Sequence, residues 1–466
     1  MSDTDRPHAT SAPETPRPLA EPRLATRHRE RRRLPRRVVV ALPLALTGLI
    51  SLLLSGNALR PFEIVTTVEA RMASKSDYFR DPEVRRLLLK HGLRVDIHRL
   101  GSRGIATQSL RGMDVVFPSG QPAAKLILDR QDRSVRSVRP FVSPLVLGTF
   151  RDYAETLVRA GAASPQPAPG GGRTLYYDLD MEKFTRLLDG RDDDGRDDDG
   201  RDDDGRDDDG RDDDGQEDDG PDTADQDGDG TLERIDTWNG IGFDENGTHS
   251  NSGRVLVRTS NVCESNAAGT YLSILAFVKN RGSTPGAGQT DRKKAAQQAL
   301  DVARRIKPLI DVQGMWADEQ AESYLSDLGE SIAPISLIYE HQYLTHQIDY
   351  ERAHHRQDTS RVLLYPTPYA LTEPQLISLS GKGDRLVDLI ERDPELRRRA
   401  IELGFRVRSS GEDGTSEQLN SYLGDHGIQV PTPNRDQTKV YEPELDVLQE
   451  IINYVGNCPP PVLDAP

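Results

Sequence analysis

Two groups of residues in this chain have the types and spacing to bind something. The first is the run Asp225-Gln-Asp-Gly-Asp-Gly-Thr-Leu-Glu-Arg-Ile-Asp236, which places carboxylates at positions 1, 3 and 5 of a twelve-residue loop, glycine at 6 and an apolar residue at 8. That spacing suits one calcium ion held by Asp225, Asp227, Asp229, Thr231 and Asp236. Position 12 carries the shorter Asp instead of Glu, and no helix pair flanks the loop, so an acidic linker that gathers cations diffusely fits the same residues. The second group is Ser74, Ser102, Ser119 and Ser265, each expected where a strand ends and a helix begins. A helix N-terminus offers unpaired N–H groups and partial positive charge, which suit an oxyanion or carboxylate. Lys75 and Arg103 add charged donors and Asn266 an amide. Serine at such a place also serves as a plain helix cap, so the argument for a ligand rests on its recurrence over successive turns.

Signatures of covalent chemistry are missing. The sequence has no G-x-S-x-G, no G-x-x-x-x-G-K-[ST] and no H-E-x-x-H, and His341, His346, His354 and His355 lack metal-ligand spacing and are expected at the surface.

The elements that must position these residues alternate in type from Pro61 onward. FEIVTTVEA (62–70) reads as a strand, DPEVRRLLLKHG (81–92) as a helix capped by Asp and stopped by Gly, LRVDIHRL and MDVVFPSG as strands, and QPAAKLILDRQ as a helix. The alternation predicts open, largely parallel α/β sheets, in which ligands sit at the carboxyl ends of the strands. Farther on, YYDLDMEKFTRLLDG reads as a helix, RVLVRTS (254–260) as a strand, and the segments after Ser265 and Asp291 as helices. SIAPISLIYEHQYLTHQI (331–348) reads as strand then helix, VLLYPTPYAL (362–371) as a strand broken by prolines, and 384–407 as closing helices, with nothing ordered beyond Gly456.

Composition sets the remaining bounds. Residues 191–229 hold five arginines against twenty-two carboxylates, so they supply −17 of a net charge of −16 and leave +1 on everything else. A nucleic-acid partner therefore has no basic footprint to meet. The GRDDD repeats carry no apolar residue and are expected to be disordered, a loop insertion over 190–230. At the N-terminus, a basic tail (1–37) runs into seventeen uncharged residues, Val38 to Leu54. This reads as a transmembrane anchor or a signal segment, with the arginines left in the cytoplasm and the rest of the chain outside. Cys263 and Cys458, the two cysteines, both fall in the external part; they form a disulfide or remain as two separate thiols.

Four stretches, in order, resemble the extracellular solute-binding proteins of bacterial ABC transporters: ASKSDYFRDPEVRRLLLKHGLRV (73–95); GSRGIA (101–106) with FPSG (117–120); RTSNVCESNAAGTYL (258–272); and IYEHQ (338–342), LLYPTPY (363–369) and ELGFR (402–406). Met72 and Ala73 stand where relatives often carry Gly-Ser. The resemblance implies a two-lobed type-2 periplasmic-binding-protein-like α/β fold, with lobe one formed by 62–143 plus 365–458, lobe two by 144–364, and crossings near Pro144 and Pro366. It implies a non-enzymatic protein that closes on a small-molecule ligand and passes it to an ABC permease or a sensor. It also places Tyr339 and Glu340 at the cleft, with Glu340 either facing the ligand or pairing with Arg103 or Lys75. The competing expectation is a calcium-dependent adhesion protein that uses the same fold as a scaffold.

Overall fold

A computed structural model describes residues 65–131, 134–168, 172–190, 236–246, 249–316, 320–408, 417–433 and 439–459. The basic tail, the apolar segment 38–54, the acidic insertion apart from Gly190, and the calcium-loop residues Asp225, Asp227, Asp229 and Thr231 lie outside the described residues. Among the described residues no helix is long and apolar enough to cross a membrane.

The first part of the chain builds β1 (Thr66–Met72), α1 (Ser76–Arg80), α2 (Pro82–Lys90), β2 (Leu93–Arg99), α3 (Ser102–Thr107), β3 (Val115–Phe117), α4 (Gln121–Asp129) and β4 (Ser137–Val138). Local chemistry accounts for the punctuation. The Asp81 carboxylate accepts from the N–H groups of Glu83 and Val84, Pro82 opens α2, and Gly92 at φ +67° ends the turn that follows it. The chain then enters β5 (Phe141–Phe150) and the second part: α5 (Arg151–Arg159), β6 (Ala163–Pro165), β7 (Tyr176–Asp180), α6 (Met181–Asp189), α7 (Asn266–Lys279), α8 (Arg292–Gln313), α9 (Gln320–Leu325), α10 (Gly329–Ile332), β8 (Ile335–Tyr339), α11 (Glu340–His354) and β9 (Arg361–Thr367). It returns through β10 (Leu371–Thr372), β11 (Leu376–Ser378), α12 (Gly381–Arg392), α13 (Pro394–Glu402) and β12 (Arg406–Val407), and closes with α14 (Glu417–Asp425) and α15 (Leu445–Gly456).

Two sheets result, and each with its helices is a lobe. The first has the order β2-β1-β3-β11-β4, parallel across β2, β1 and β3 and antiparallel beyond. At its centre it is buried on both faces: Val115 and Phe117 point into one apolar cluster, while Val116 between them points into another. The second runs β10-β5-β9-β7-β6, with β8 and β12 also pairing to β5.

Strand β5 joins the lobes. Its first residues pair with β12 and β10, on the returning chain, and its later ones with β8 and β9.

Several expectations need correcting. The second sheet is mostly antiparallel, because β5 runs out along it and β9 comes back beside it. Tyr176–Asp180 is a strand, paired with β6 and β9 and separated from α6 by the Asp180 cap. Residues 254–260 make only isolated bridges, at Arg254, Arg258 and Ser260.

The C-terminal segment, expected in lobe one, buries Leu419, Leu423, Val447, Leu448, Ile451 and Ile452 in the core of lobe two, and α15 packs along α8. A disulfide between Cys263 and Cys458 fixes it there, joining points 195 residues apart with Cα atoms 5.4 Å from each other. Gly456 passes so close that a Cβ would lie 2.8 and 2.9 Å from the two sulfurs.

The ends of the acidic insertion meet. Gly190 takes φ +70° at the end of α6, and a Cβ on it would lie 3.3 Å from Cβ of Asp236. Asp236, offered by spacing as a calcium ligand, is buried, with its carboxylate 2.7 Å from Arg254. The chain thus leaves lobe two and re-enters it at one place. Replacing 191–235 by a short glycine link is expected to preserve the fold and to raise stability by about 2 kcal/mol through the smaller loop-closure entropy, read by denaturant titration. Reducing the disulfide, or Cys458→Ser, is expected to lower stability by about 2–5 kcal/mol, read in the same assay.

Candidate functional site

The residues that close the gap between the lobes stand at the ends of β1, β2, β3 and β8 and at the start of α7. In lobe one, the Ser74 and Ser119 hydroxyls are 2.9 Å apart, and the Ser119 N–H donates to the Ser102 hydroxyl at 2.9 Å. The three serines expected on separate turns are therefore one cluster. In lobe two, the Ser265 hydroxyl caps α7 by accepting from the Ala268 N–H at 3.4 Å. Asn266 follows it and lies flat against lobe one: a Cβ on Gly120 would fall 2.2 Å from the Asn266 amide nitrogen. Likewise a Cβ on Gly101 would fall 2.2 Å from the Glu264 carbonyl oxygen. Only glycine permits either approach.

Arg103 reaches across the gap. It donates through Nε to the Cys263 carbonyl at 3.2 Å and through Nη2 to Gln449 Oε1 at 2.7 Å, and burial lowers its guanidinium to about 10. Its charge is thus met by neutral acceptors of lobe two and α15.

At the centre stands Lys75, fully buried, with its ammonium group over the ring of Tyr339 and no hydrogen-bond partner. Burial holds this amine well below the usual lysine range, opposed only in part by the Asp77 carboxylate. The Ser76 hydroxyl and the Tyr339 hydroxyl are also buried without a well-formed hydrogen bond. Burial pushes the Tyr339 hydroxyl up, while Ser74 and Asn266, beside it, pull it down. A buried amine left without a hydrogen-bond partner where two lobes touch is uncommon in folded proteins.

The C-terminal segment adds a carboxylate. Glu442 accepts from the Thr270 hydroxyl at 2.9 Å, and burial pushes it up to about 7. With Arg103, Ser265, Asn266 and Gln449 it borders a space of about 20 Å³, the size of one water, between the lobes. Ser76 and Glu442 were missed from sequence. Ser76 adjoins an expected donor and was within reach of the same reasoning. Glu442 lies 172 residues from Thr270 and has no local signal.

Glu340 does not face the cleft, nor does it pair with Lys75 or Arg103. It is wholly buried; its Oε2 accepts from Arg406 Nε at 2.5 Å, and its Oε1 accepts from Arg406 Nη2 and from the Tyr365 hydroxyl, both at 2.6 Å. Desolvation would lower Arg406, but Glu340, together with Tyr365 and Tyr176, holds it above its ordinary value.

Two histidines expected at the surface are engaged inside. His346 bonds Asp358 at 2.9 Å, and His341 is buried, stacked on Phe405 at 4.0 Å. His341 sits between Ser143 (Nδ1, 3.0 Å) and Asp77 (Nε2, 3.1 Å). Burial would raise Asp77, but His341, Lys75 and the Tyr78 N–H hold it below the usual carboxylate range. Burial lowers His341 against the pull of Asp77. Serine, histidine and aspartate in contact resemble a hydrolytic triad, yet Ser143 is only 1% exposed and its oxygen also receives the His341 backbone N–H at 3.3 Å. The arrangement ties α1 of lobe one, the crossing strand and α11 together.

No family model matches the sequence, and no curated protein matches it. Among solved structures the chain is similar to a periplasmic molybdate-binding protein of Azotobacter vinelandii, with 10% identity over 73% of this chain and 100% of that one and a TM-score of 0.36. It is similar to the periplasmic binding protein AfuA of Actinobacillus pleuropneumoniae, with fructose-6-phosphate bound (9% identity, 84% and 97%, TM-score 0.37). Iron-bound HitA of Pseudomonas aeruginosa gives 9% identity, 84% and 99%, and a TM-score of 0.37.

Glu340→Gln is expected to destabilise the protein by about 3–5 kcal/mol, because Arg406 would be left buried and uncompensated; chemical denaturation measures it. Gly120→Ala is expected to hold the lobes apart at Asn266 while sparing both cores, which small-angle scattering reads as a larger radius of gyration at an unchanged far-ultraviolet dichroism spectrum.

Proposed function

We propose that this chain is an extracytoplasmic solute-binding protein that captures a small oxyanion or carboxylate-bearing ligand between its two lobes. One observation carries the reading: Lys75 Nζ is buried at the lobe junction over the ring of Tyr339 with no hydrogen-bond partner, beside the Ser74, Asn266 and Tyr339 polar groups. An unmade buried hydrogen bond costs about 1–3 kcal/mol, so such atoms persist where a ligand supplies what the protein does not. A compact anion suits them, because the ammonium group and the hydroxyls are donors and the α1 N-terminus adds its partial positive charge. Ser74 and Ser119 on one lobe and Asn266 on the other stand close enough to complete the shell after small rotations. Glu442 opposes a fully charged ligand on its side and suits a hydroxyl or ammonium there.

Capture requires the lobes to part and close about β5 and β9, and binding would shift that balance. The segment 38–54 would hold the protein at the membrane as a single-pass anchor, or release it when cleaved. Delivery to an ABC permease or a sensor follows from the resemblance in sequence. No step needs a chemical reaction.

Mass spectrometry of small molecules released from the native protein identifies the ligand class, and scattering with and without it reads closure. Finding neither a retained ligand nor compaction with phosphate, sulfate, molybdate or a set of small carboxylates would sink the proposal. The lysine gives a sharper expectation. Because its amine is held below the ordinary range when the site is empty, anion binding should draw a proton onto it, and affinity should fall as pH rises; calorimetry in buffers of different ionisation enthalpy reads the uptake. Without ligand, the unfolded chain binds the proton that the folded lysine has lost. Stability should therefore rise with pH between the lowered value and the ordinary 10.5. Lys75→Met should stabilise the empty protein by about 1–3 kcal/mol and abolish ligand-dependent stabilisation, a pair of opposite effects that a purely structural lysine would not show.

A further inference from the structure

Strand β2 is the edge of the first sheet and pairs only with β1 among the described residues. Its outer side presents a row of backbone donors and acceptors with no strand against them. Beside it, between β2 and the helices α1 and α2, runs a groove of about 450 Å³. Leu89, Val95 and Ile97 supply its apolar lining, and Leu89 is 49% exposed. Arg80, Arg85, Arg94 and Arg99 border it, against one carboxylate, Asp96. Arg80, Arg85 and Arg94 form no ion pair within the described part of the chain. Charge on an edge strand is a common guard against self-pairing, but a guard needs neither a groove nor an exposed leucine, and here the flanking helices contribute two of the arginines as well.

We propose that this groove docks an extended acidic segment of a partner protein, which adds to β2 as a further strand. Main-chain bonds to the free edge would give affinity without sequence preference, apolar residues at alternate positions would cover Leu89, Val95 and Ile97, and carboxylates would meet the arginines. The site is separate from the lobe junction and involves none of its residues, so it stands or falls independently of ligand capture.

The probe is a fluorescein-labelled nine-residue peptide alternating Asp or Glu with Val or Ile, compared with the same peptide carrying Lys at every acidic position. With the full chain, anisotropy should show at least tenfold tighter binding of the acidic peptide, weakening as salt rises. Hydrogen exchange should slow at the backbone amides of 93–99 when it is bound. Arg85→Glu with Arg94→Glu, both exposed positions, should remove binding while leaving the thermal midpoint unchanged. Equal affinity for the two peptides, or no protection over 93–99, overturns the proposal. So does binding to phosphatidylserine vesicles that the double variant loses while the peptide fails to bind, which would assign the surface to a membrane. A tenfold gain in peptide affinity on deleting 191–229 would assign the groove to the chain's own acidic segment and equally overturn it.

Discussion

The buried contact of Glu340 with Arg406 and Tyr365 is the interaction on which the two-lobed arrangement depends. Glu340 opens α11 at the end of β8, Tyr365 lies on β9, and Arg406 lies on β12, where the returning chain pairs with the start of β5. One carboxylate therefore ties lobe two to the segment that completes lobe one. Desolvating two charges has a large cost, which the fork of two short bonds and the tyrosine hydroxyl offset by satisfying both oxygens. A less specific apolar contact would bury the same surface without choosing one alignment of the crossing strands. Around this contact the chain passes between the two sheets at β5 and again after β9.

The lobe junction follows an opposite logic. Both oxygens of Glu340 are satisfied by Arg406 and Tyr365, whereas at the lobe junction Lys75 Nζ, over the ring of the preceding residue Tyr339, has no hydrogen-bond partner. Tyr339 and Glu340 are consecutive, yet one ends β8 at the cleft and the other starts α11 in the hinge. The change of direction between strand and helix sends neighbouring side chains into different environments, Glu340 into its ion pair with Arg406 and Tyr339 beneath Lys75. A stretch that sums to a stable fold can hold a local deficit of a few kcal/mol at such a place, since the apolar clusters on either side are extensive.

The C-terminal segment binds these two regions into one design. The disulfide anchors it beside Ser265 and Asn266, α15 lies along α8, and Gln449 and Glu442 are thereby presented to Arg103 and to the small space between the lobes. A tail that looks peripheral in the chain order borders the small space between the lobes.

Much of this was legible in the residues. Asp81-Pro82 and Gly92 mark the ends of α2, Ser265 marks the start of α7, and the acidic insertion reads as an excursion because charge without apolar residues cannot form a core. These are properties of short stretches, and short-range chemistry decides them. The donors Ser74, Lys75, Ser102 and Ser119 were found because they recur at strand ends; that Ser74, Ser102 and Ser119 bond to one another, and that Lys75 is left alone over Tyr339, depends on which loops the sheet order brings together. Glu340 was misplaced because a carboxylate next to a cleft tyrosine has no local mark telling ligand from ion pair, and its partner Arg406 is 66 residues away. The strand at Tyr176–Asp180 was hidden because its apolar residues merge with the helical pattern after it, and only pairing with β9 separates them. Sequence alone determined the α/β alternation of the first part, the ends of α2, the start of α7 and the donor-bearing turns, all set within a few residues. The tertiary structure decided the partners, since desolvation and pairing act between residues that the chain itself keeps far apart.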